Sequence, residues 1–181
     1  MRKVFWQINA TLDGFIEGPN RELDDTAQVV DADFDRYASD MLQSIDAVLL
    51  GRRTYQLFAD YWPSATGRDA DRLNELPKIV FSRTLERVDW NNSRLVREDV
   101  AGEVARLKQG PGKDIALFGS ADLASTFIRL GLIDEYRILL TPVVLGRGTP
   151  MFKDIEDRVA LKLLSATTWS SGVVALYYQR S

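Results

Sequence analysis

Short apolar runs that pass straight into helical patterns constrain this chain more than any other feature. Ala47-Val48-Leu49-Leu50 has the length of a buried strand, and Gly51-Arg52-Arg53-Thr54-Tyr55 opens at once on a segment where apolar residues recur at helical spacing. The same change of period recurs along the sequence. Strands are predicted at Lys3–Asn9, Ala47–Leu50, Lys78–Ser82, Ile115–Phe118 and Glu135–Leu140, and helices at Phe34–Ser44, Arg53–Tyr61, Val100–Lys108 and Ala121–Leu130. Alternation of this kind builds βα units around a mostly parallel sheet. The end departs from it: Val159–Thr168 and Val173–Gln179 flank Ser170-Ser171-Gly172 and read as an antiparallel hairpin that finishes the sheet. Pro63–Leu76 is polar and reads as a surface loop with a short helix. At 181 residues, without repeats or low-complexity tracts, a single domain is expected.

Composition narrows the chemistry. The chain has no cysteine and no histidine, which excludes disulfides, a thiolate nucleophile, zinc sites built from those residues and a Ser-His-Asp triad. The remaining acids and bases are Asp, Glu, Lys, Tyr and water, so an enzyme made from this chain leans on a borrowed cofactor for difficult steps. The formal net charge of -3 offers no basic footprint for a nucleic acid. No apolar run approaches the ~20 residues of a membrane span. The expected location is the cytoplasm.

Three predicted strands end in chemistry suited to anions. At Gly51-Arg52-Arg53-Thr54 a glycine admits close approach to the backbone, and a helix start offers unpaired N–H groups. Cations there oppose the helix dipole by ~0.3–1 kcal/mol each, so two arginines at the spot point to an anion that receives them. Lys78-Ile79-Val80-Phe81 runs into Ser82-Arg83-Thr84, with two hydroxyls and a guanidinium. Ile115-Ala116-Leu117-Phe118 runs into Gly119-Ser120-Ala121-Asp122, where Ser120 is either a helix cap or part of a second phosphate cradle. In a parallel sheet all three ends open on one edge, where such sheets bind ligands, although the G-x-G-x-x-G spacing is absent. Near the start, Thr11-Leu12-Asp13-Gly14-Phe15-Ile16 reads as a tight hairpin turn whose central residues take positive φ.

Leu12-Asp13-Gly14-Phe15-Ile16, Leu50-Gly51-Arg52-Arg53-Thr54-Tyr55, Phe118-Gly119-Ser120, and Ile133-Asp134-Glu135 leading to Thr141-Pro142-Val143-Val144-Leu145-Gly146-Arg147-Gly148-Thr149-Pro150-Met151-Phe152 follow in an order that resembles the dihydrofolate reductase superfamily. The resemblance, from Val4 to Tyr178, is closest to the reductase domain of the bifunctional riboflavin-biosynthesis deaminase–reductase and its stand-alone relatives. It implies a three-layer α/β fold and an NADPH-dependent reductase acting on a small heteroaromatic molecule, a pteridine or a ribosylaminopyrimidine. Gly51, Arg52, Arg53 and Thr54 would hold the pyrophosphate and 2′-phosphate. Ser82 and Arg83 would flank the 2′-phosphate, and Gly119, Ser120, Ala121 and Asp122 would form a second phosphate-facing turn. Ala10 and Ile16 would lie near the nicotinamide. Ser120 stands where the family pairs a second glycine. Asp33 and Asp35, early in the first long helix, are the implied catalytic carboxylates, although acids in a first helical turn also complement the dipole. Tyr55, Phe58 and Thr141 are candidates for the substrate side, Tyr55 and Phe58 equally for core packing. Without histidine or cysteine the zinc-dependent deamination is excluded. Relatives often dimerise, and Tyr177 and Tyr178 on the terminal hairpin are candidate contacts. The rival reading is a non-catalytic nucleotide- or drug-binding module of the same fold.

Overall fold

The computed structural model describes residues 1–23 and 31–181. These residues form ten strands: β1 (Val4–Thr11), β2 (Phe15–Glu17), β3 (Ile45–Gly51), β4 (Lys78–Phe81), β5 (Ser93–Val96), β6 (Asp114–Phe118), β7 (Glu135–Thr141), β8 (Thr149–Pro150), β9 (Leu161–Thr168) and β10 (Val174–Arg180). The helices are α1 (Ala32–Ser44), α2 (Arg52–Tyr61), α3 (Arg68–Glu75), α4 (Val100–Gln109) and α5 (Ala121–Arg129). Eight strands make one sheet in the order β5-β4-β3-β6-β1-β7-β10-β9, and β2 pairs with β8 in a small separate sheet. Pairing is parallel from β5 across to β7, and β10 and β9 close that edge antiparallel. The expected architecture is present.

Alternation along each strand sorts side chains into two layers. Val4, Trp6, Ile8 and Ala10 of β1 pack with Leu49, Leu117 and Ile138 against α4 and α5, through Val104, Ala124, Phe127 and Ile128. Phe5, Val48, Leu50, Ala116 and Phe118 face the other way, toward Leu42 of α1, Tyr55 of α2 and Leu73 of α3. Trp6 and Phe127 are wholly buried, and each such side chain contributes ~1.5–3 kcal/mol relative to exposure. Lys78 is also buried. Its ammonium donates to the Leu73 and Asn74 carbonyls at 3.0 and 2.9 Å, near the C-terminal end of α3, and lies 4.2 Å from the Trp90 ring centroid. Burial pushes that ammonium down to about 8.

Two features differ from the sequence reading. The segment Ser93–Val96 is an edge strand, invisible to an apolar-run criterion because Ser93 and Arg94 leave only Leu95 and Val96 as apolar residues. The Asp13-Gly14 turn is present, with Gly14 N–H donating to the Thr11 carbonyl at 2.9 Å, but only Gly14 has positive φ, at 84°. The strands flanking it do not pair as a hairpin; β2 pairs with β8 instead. The cause is Asp13. Its carboxylate accepts from Thr11 Oγ1 at 2.7 Å, from Leu145 N–H at 3.1 Å and from Gly146 N–H at 2.7 Å, drawing the 143–150 segment onto the turn. Leu12 N–H to Val143 O and Met151 N–H to Gly14 O, each 2.8 Å, complete the flap.

The Thr11 hydroxyl and the Gly146 and Leu145 N–H groups hold the Asp13 carboxyl down to about 2, from an ordinary 3.8. A depressed carboxyl stabilises the fold above its unfolded value and loses that contribution as pH falls through its folded value. Asp13→Asn should therefore lower Tm relative to wild type above about pH 4, with the gap closing toward pH 2. Thermal melts across that range check it, and a gap independent of pH would contradict it.

Candidate functional site

The parallel register sets Leu50 beside Phe118, so the next residues, Gly51 and Gly119, leave the sheet side by side into α2 and α5. Gly119 is held on β1 twice: its N–H donates to the Gln7 carbonyl at 3.1 Å and its carbonyl accepts from the Trp6 indole at 2.9 Å. Gly119 and Ser120 both take left-handed φ, 57° and 53°. The two glycines serve each other's neighbours. A Cβ on Gly51 would lie 2.3 Å from Ser120 Oγ, and one on Gly119 would lie 3.1 Å from Thr54 Oγ1. Gly51 is therefore demanded by Ser120, which fills the space that a second glycine would leave. The start of α2 has no side-chain cap, and Ser120 caps Leu123 N–H of α5 only at 3.4 Å. Two helix N-termini thus converge with weakly satisfied N–H groups, an arrangement that favours an anion.

The arginines divide their labour. Arg53 donates through Nη1 to both Glu17 carboxylate oxygens, at 3.0 and 3.1 Å, and Thr149 Oγ1 donates to the same Glu17 at 2.7 Å. It therefore straps α2 to the β2–β8 flap. The guanidinium groups of Arg52 and Arg83 are exposed and have no partner among the described residues. They follow the ends of β3 and β4, where Gly51 lies beside Phe81. The Ser82 hydroxyl accepts from Thr84 and Leu85 N–H, at 3.2 and 3.0 Å, shaping the turn that carries Arg83. Asp122 is paired with Lys153 at 2.6 Å, which offsets its charge beside the cradle.

Of the substrate-side candidates, Tyr55 and Phe58 share one core cluster, and Thr141 lies outside it. Tyr55 is buried, and its hydroxyl accepts from Asp89 and Trp90 N–H at 2.9 and 3.1 Å, so it is a core pillar. Phe58 packs on Phe118, with ring centroids 6.1 Å apart. Thr141 is buried and donates to the Ala10 carbonyl at 3.2 Å. Asp33 accepts from Ser170 N–H and Oγ, both at 3.1 Å, tying α1 to the β9–β10 turn, while Asp35 is exposed. Ala10 and Ile16 belong to one buried cluster, on the α5 side of β1.

Sequence reasoning missed a polar ladder on the opposite side of β1. The Tyr37 hydroxyl of α1 donates to Gln7 Oε1, and Gln7 Nε2 donates to Asn9 Oδ1 at 3.2 Å. Burial, helped by Tyr177, holds the Tyr37 phenol far above its ordinary value, so it stays protonated. The Tyr37 ring centroid lies 5.6 Å from that of Trp169. The signal was available: Gln7 and Asn9 alternate with Trp6, Ile8 and Ala10 in a strand buried on both faces, where polar side chains are unusual.

Fold and cradle together define a dihydrofolate-reductase-like α/β domain. A family model described as the RibD C-terminal domain matches residues 2–175, and the chain belongs to that family. It is 41% identical over 182 residues to the uncharacterized protein YyaP of Bacillus subtilis (strain 168), covering 98% of this chain and 94% of that one. The uncharacterized protein YwjB of the same organism is 30% identical over 99% of each chain. Among solved structures, a protein from Shewanella sp. PV-4 provisionally assigned to riboflavin biosynthesis superposes with a TM-score of 0.80 at 21% identity over 99% of both chains. A diaminohydroxyphosphoribosylaminopyrimidine deaminase/5-amino-6-(5-phosphoribosylamino)uracil reductase from Thermotoga maritima gives 0.71 at 16% identity, over 99% of this chain and 57% of that one. At these identities the solved structures establish the fold.

The glycine–serine contact carries its own test. Gly51→Ala overpacks the cradle and should cost about 1–3 kcal/mol, whereas Gly51→Ala with Ser120→Gly should recover most of that loss. Denaturant midpoints of the single and double variants measure the coupling. Strict additivity would show that the two turns do not press on each other.

Proposed function

We propose that this chain is an NADPH-dependent reductase that delivers hydride to a small nitrogen heteroaromatic ring of the aminopyrimidine or pteridine type. The observation that carries this reading is the pairing of two helix N-termini with two unpaired arginines at adjacent strand ends. A dinucleotide with an additional phosphate offers both a pyrophosphate and an isolated dianion, and the residues present fit that distribution. Arg52 and Arg83 would hold the isolated phosphate by charge-assisted bonds, and the N–H groups at the starts of α2 and α5 the pyrophosphate. Membership of the RibD C-terminal domain family supports the same reading, as does the reductase named in the Thermotoga maritima protein.

Bound NADPH supplies the hydride from C4 of its nicotinamide. The protein's part is orientation and exclusion of water. The flap, pinned by Asp13 and by the Glu17–Arg53–Thr149 clasp, carries Ile16 and would shield the reacting face. Asp33 is committed to Ser170 and Asp35 faces solvent, so the proton is drawn from water.

Tryptophan fluorescence titrations with NADPH and NADH test the cofactor. Wild type should prefer NADPH. Arg52→Ala and Arg83→Ala should each lose about ten- to a hundredfold in NADPH affinity, the value of one charge-assisted hydrogen bond, with NADH binding unchanged. Equal binding of both cofactors by all three proteins would overturn the reading. Tight NADPH binding without oxidation by any pteridine, pyrimidine or quinone would favour the non-catalytic module.

A further inference from the structure

β1 lies between β6 and β7, yet the β6 pairing stops at Gln7↔Phe118, where Gly119 turns away into α5. The β7 pairing continues through Asn9↔Leu139 to Thr11↔Thr141. Asn9 therefore stands one same-face step beyond the last β6 residue. It is half-buried and lies past the point where Gly119, held on Gln7, leaves β1 for α5. On that face Asn9 follows directly on the strand position that abuts the Gly119 turn of the cradle.

The hydrogen-bond ladder fixes what Asn9 can offer. A phenol that stays protonated donates to Gln7 Oε1, so the Gln7 amide presents its NH2 group to Asn9 and occupies Asn9 Oδ1. The Asn9 Nδ2 group is left with no partner among the described residues. With one lone pair of Oδ1 engaged by Gln7 and Nδ2 unpartnered, the half-buried amide presents Nδ2 as its unused donor. A carbonyl oxygen satisfies it, while an amino group sets N–H against N–H and leaves both unpaired, the situation in which hydrogen-bonding sites discriminate most strongly.

Building on the reductase reading, we propose that Asn9 is the specificity-determining donor for the substrate ring, aimed by Gln7 and Tyr37 as positioning residues. The site then selects a ring edge bearing carbonyl oxygen, as in an oxo-pyrimidine or oxo-pteridine, over an edge bearing only amino groups. Trp169 and Phe34, packed around Tyr37, keep the ladder in place from the α1 side.

The test uses two probes of like size, 6-aminouracil and 2,4,6-triaminopyrimidine. Their binding to the full chain in saturating NADP+, which cannot transfer hydride, is measured by calorimetry at a pH where both rings are neutral. Wild type should bind 6-aminouracil at least about tenfold more tightly. Asn9→Asp, which exchanges Nδ2 for an acceptor at the same volume, should reverse the order. Tyr37→Phe, which frees the far end of the ladder, should narrow it. NADP+ affinity should be unchanged in both variants. Equal binding of the two rings by wild type, binding of neither, or a preference that Asn9→Asp leaves intact overturns the role of Asn9. The wild-type comparison and Tyr37→Phe decide the matter even if a carboxylate at position 9 prevents folding. Failure of the wild-type protein to bind NADP+ overturns the reductase reading and this inference with it.

Discussion

Parallel hydrogen bonding of β3 to β6, and of β6 to β1, governs everything at the functional edge. With Leu50, Phe118 and Gln7 in line, the chain leaves the sheet at Gly51 and Gly119 in adjacent places, and two helix starts come within contact of each other. Contact this close tolerates a Cβ at neither glycine without displacing Ser120 or Thr54. The same register ends the β6 pairing at Gln7 and leaves Asn9 paired on the β7 side only. A shift of one residue would turn the polar side of β1 toward α5 and send the apolar residues to α1.

Charge is placed around that edge by pairing rather than by excess. Glu17 takes Arg53, Lys153 takes Asp122, Ser170 takes Asp33, and Asp13 is saturated by backbone N–H groups and Thr11. These four acids are thereby committed, whereas the guanidinium groups of Arg52 and Arg83 have no partner among the described residues. The committed groups tie loops together, while the uncommitted ones would keep their full attraction for the phosphate proposed to bind there. A flap held by so few side chains also accounts for the acid sensitivity expected of Asp13, whose carboxylate joins two segments far apart in sequence.

Much of the fold was legible because burial on both faces of a parallel sheet leaves continuous apolar runs, as at Ala47–Leu50 and Ile115–Phe118. The strand ends were legible too, since glycine before a helix start is a local matter. The edge strand β5 was not, because Ser93-Arg94-Leu95-Val96 pairs on one side only and carries just two apolar residues. Nor was the fate of β2: Asp13-Gly14 favours a turn, but the choice of β8 as partner came from N–H groups more than a hundred residues away. At the site, Arg52 and Arg53 are equivalent in sequence, and the position of Glu17 separates the unpartnered guanidinium from the strut.

The amino-acid sequence by itself determined the alternation of strand and helix, the absence of thiol and imidazole chemistry, and the gathering of glycine, hydroxyl and guanidinium groups at three strand ends. These follow from periodicity and residue type, which act over a few neighbours. Tertiary structure alone decided which arginine stays free, that Gly51 answers to Ser120, and that Tyr37, Gln7 and Asn9 form one directed ladder. Those outcomes depend on contacts between residues distant along the chain. Their geometry is settled only when strand order and register bring the partners face to face.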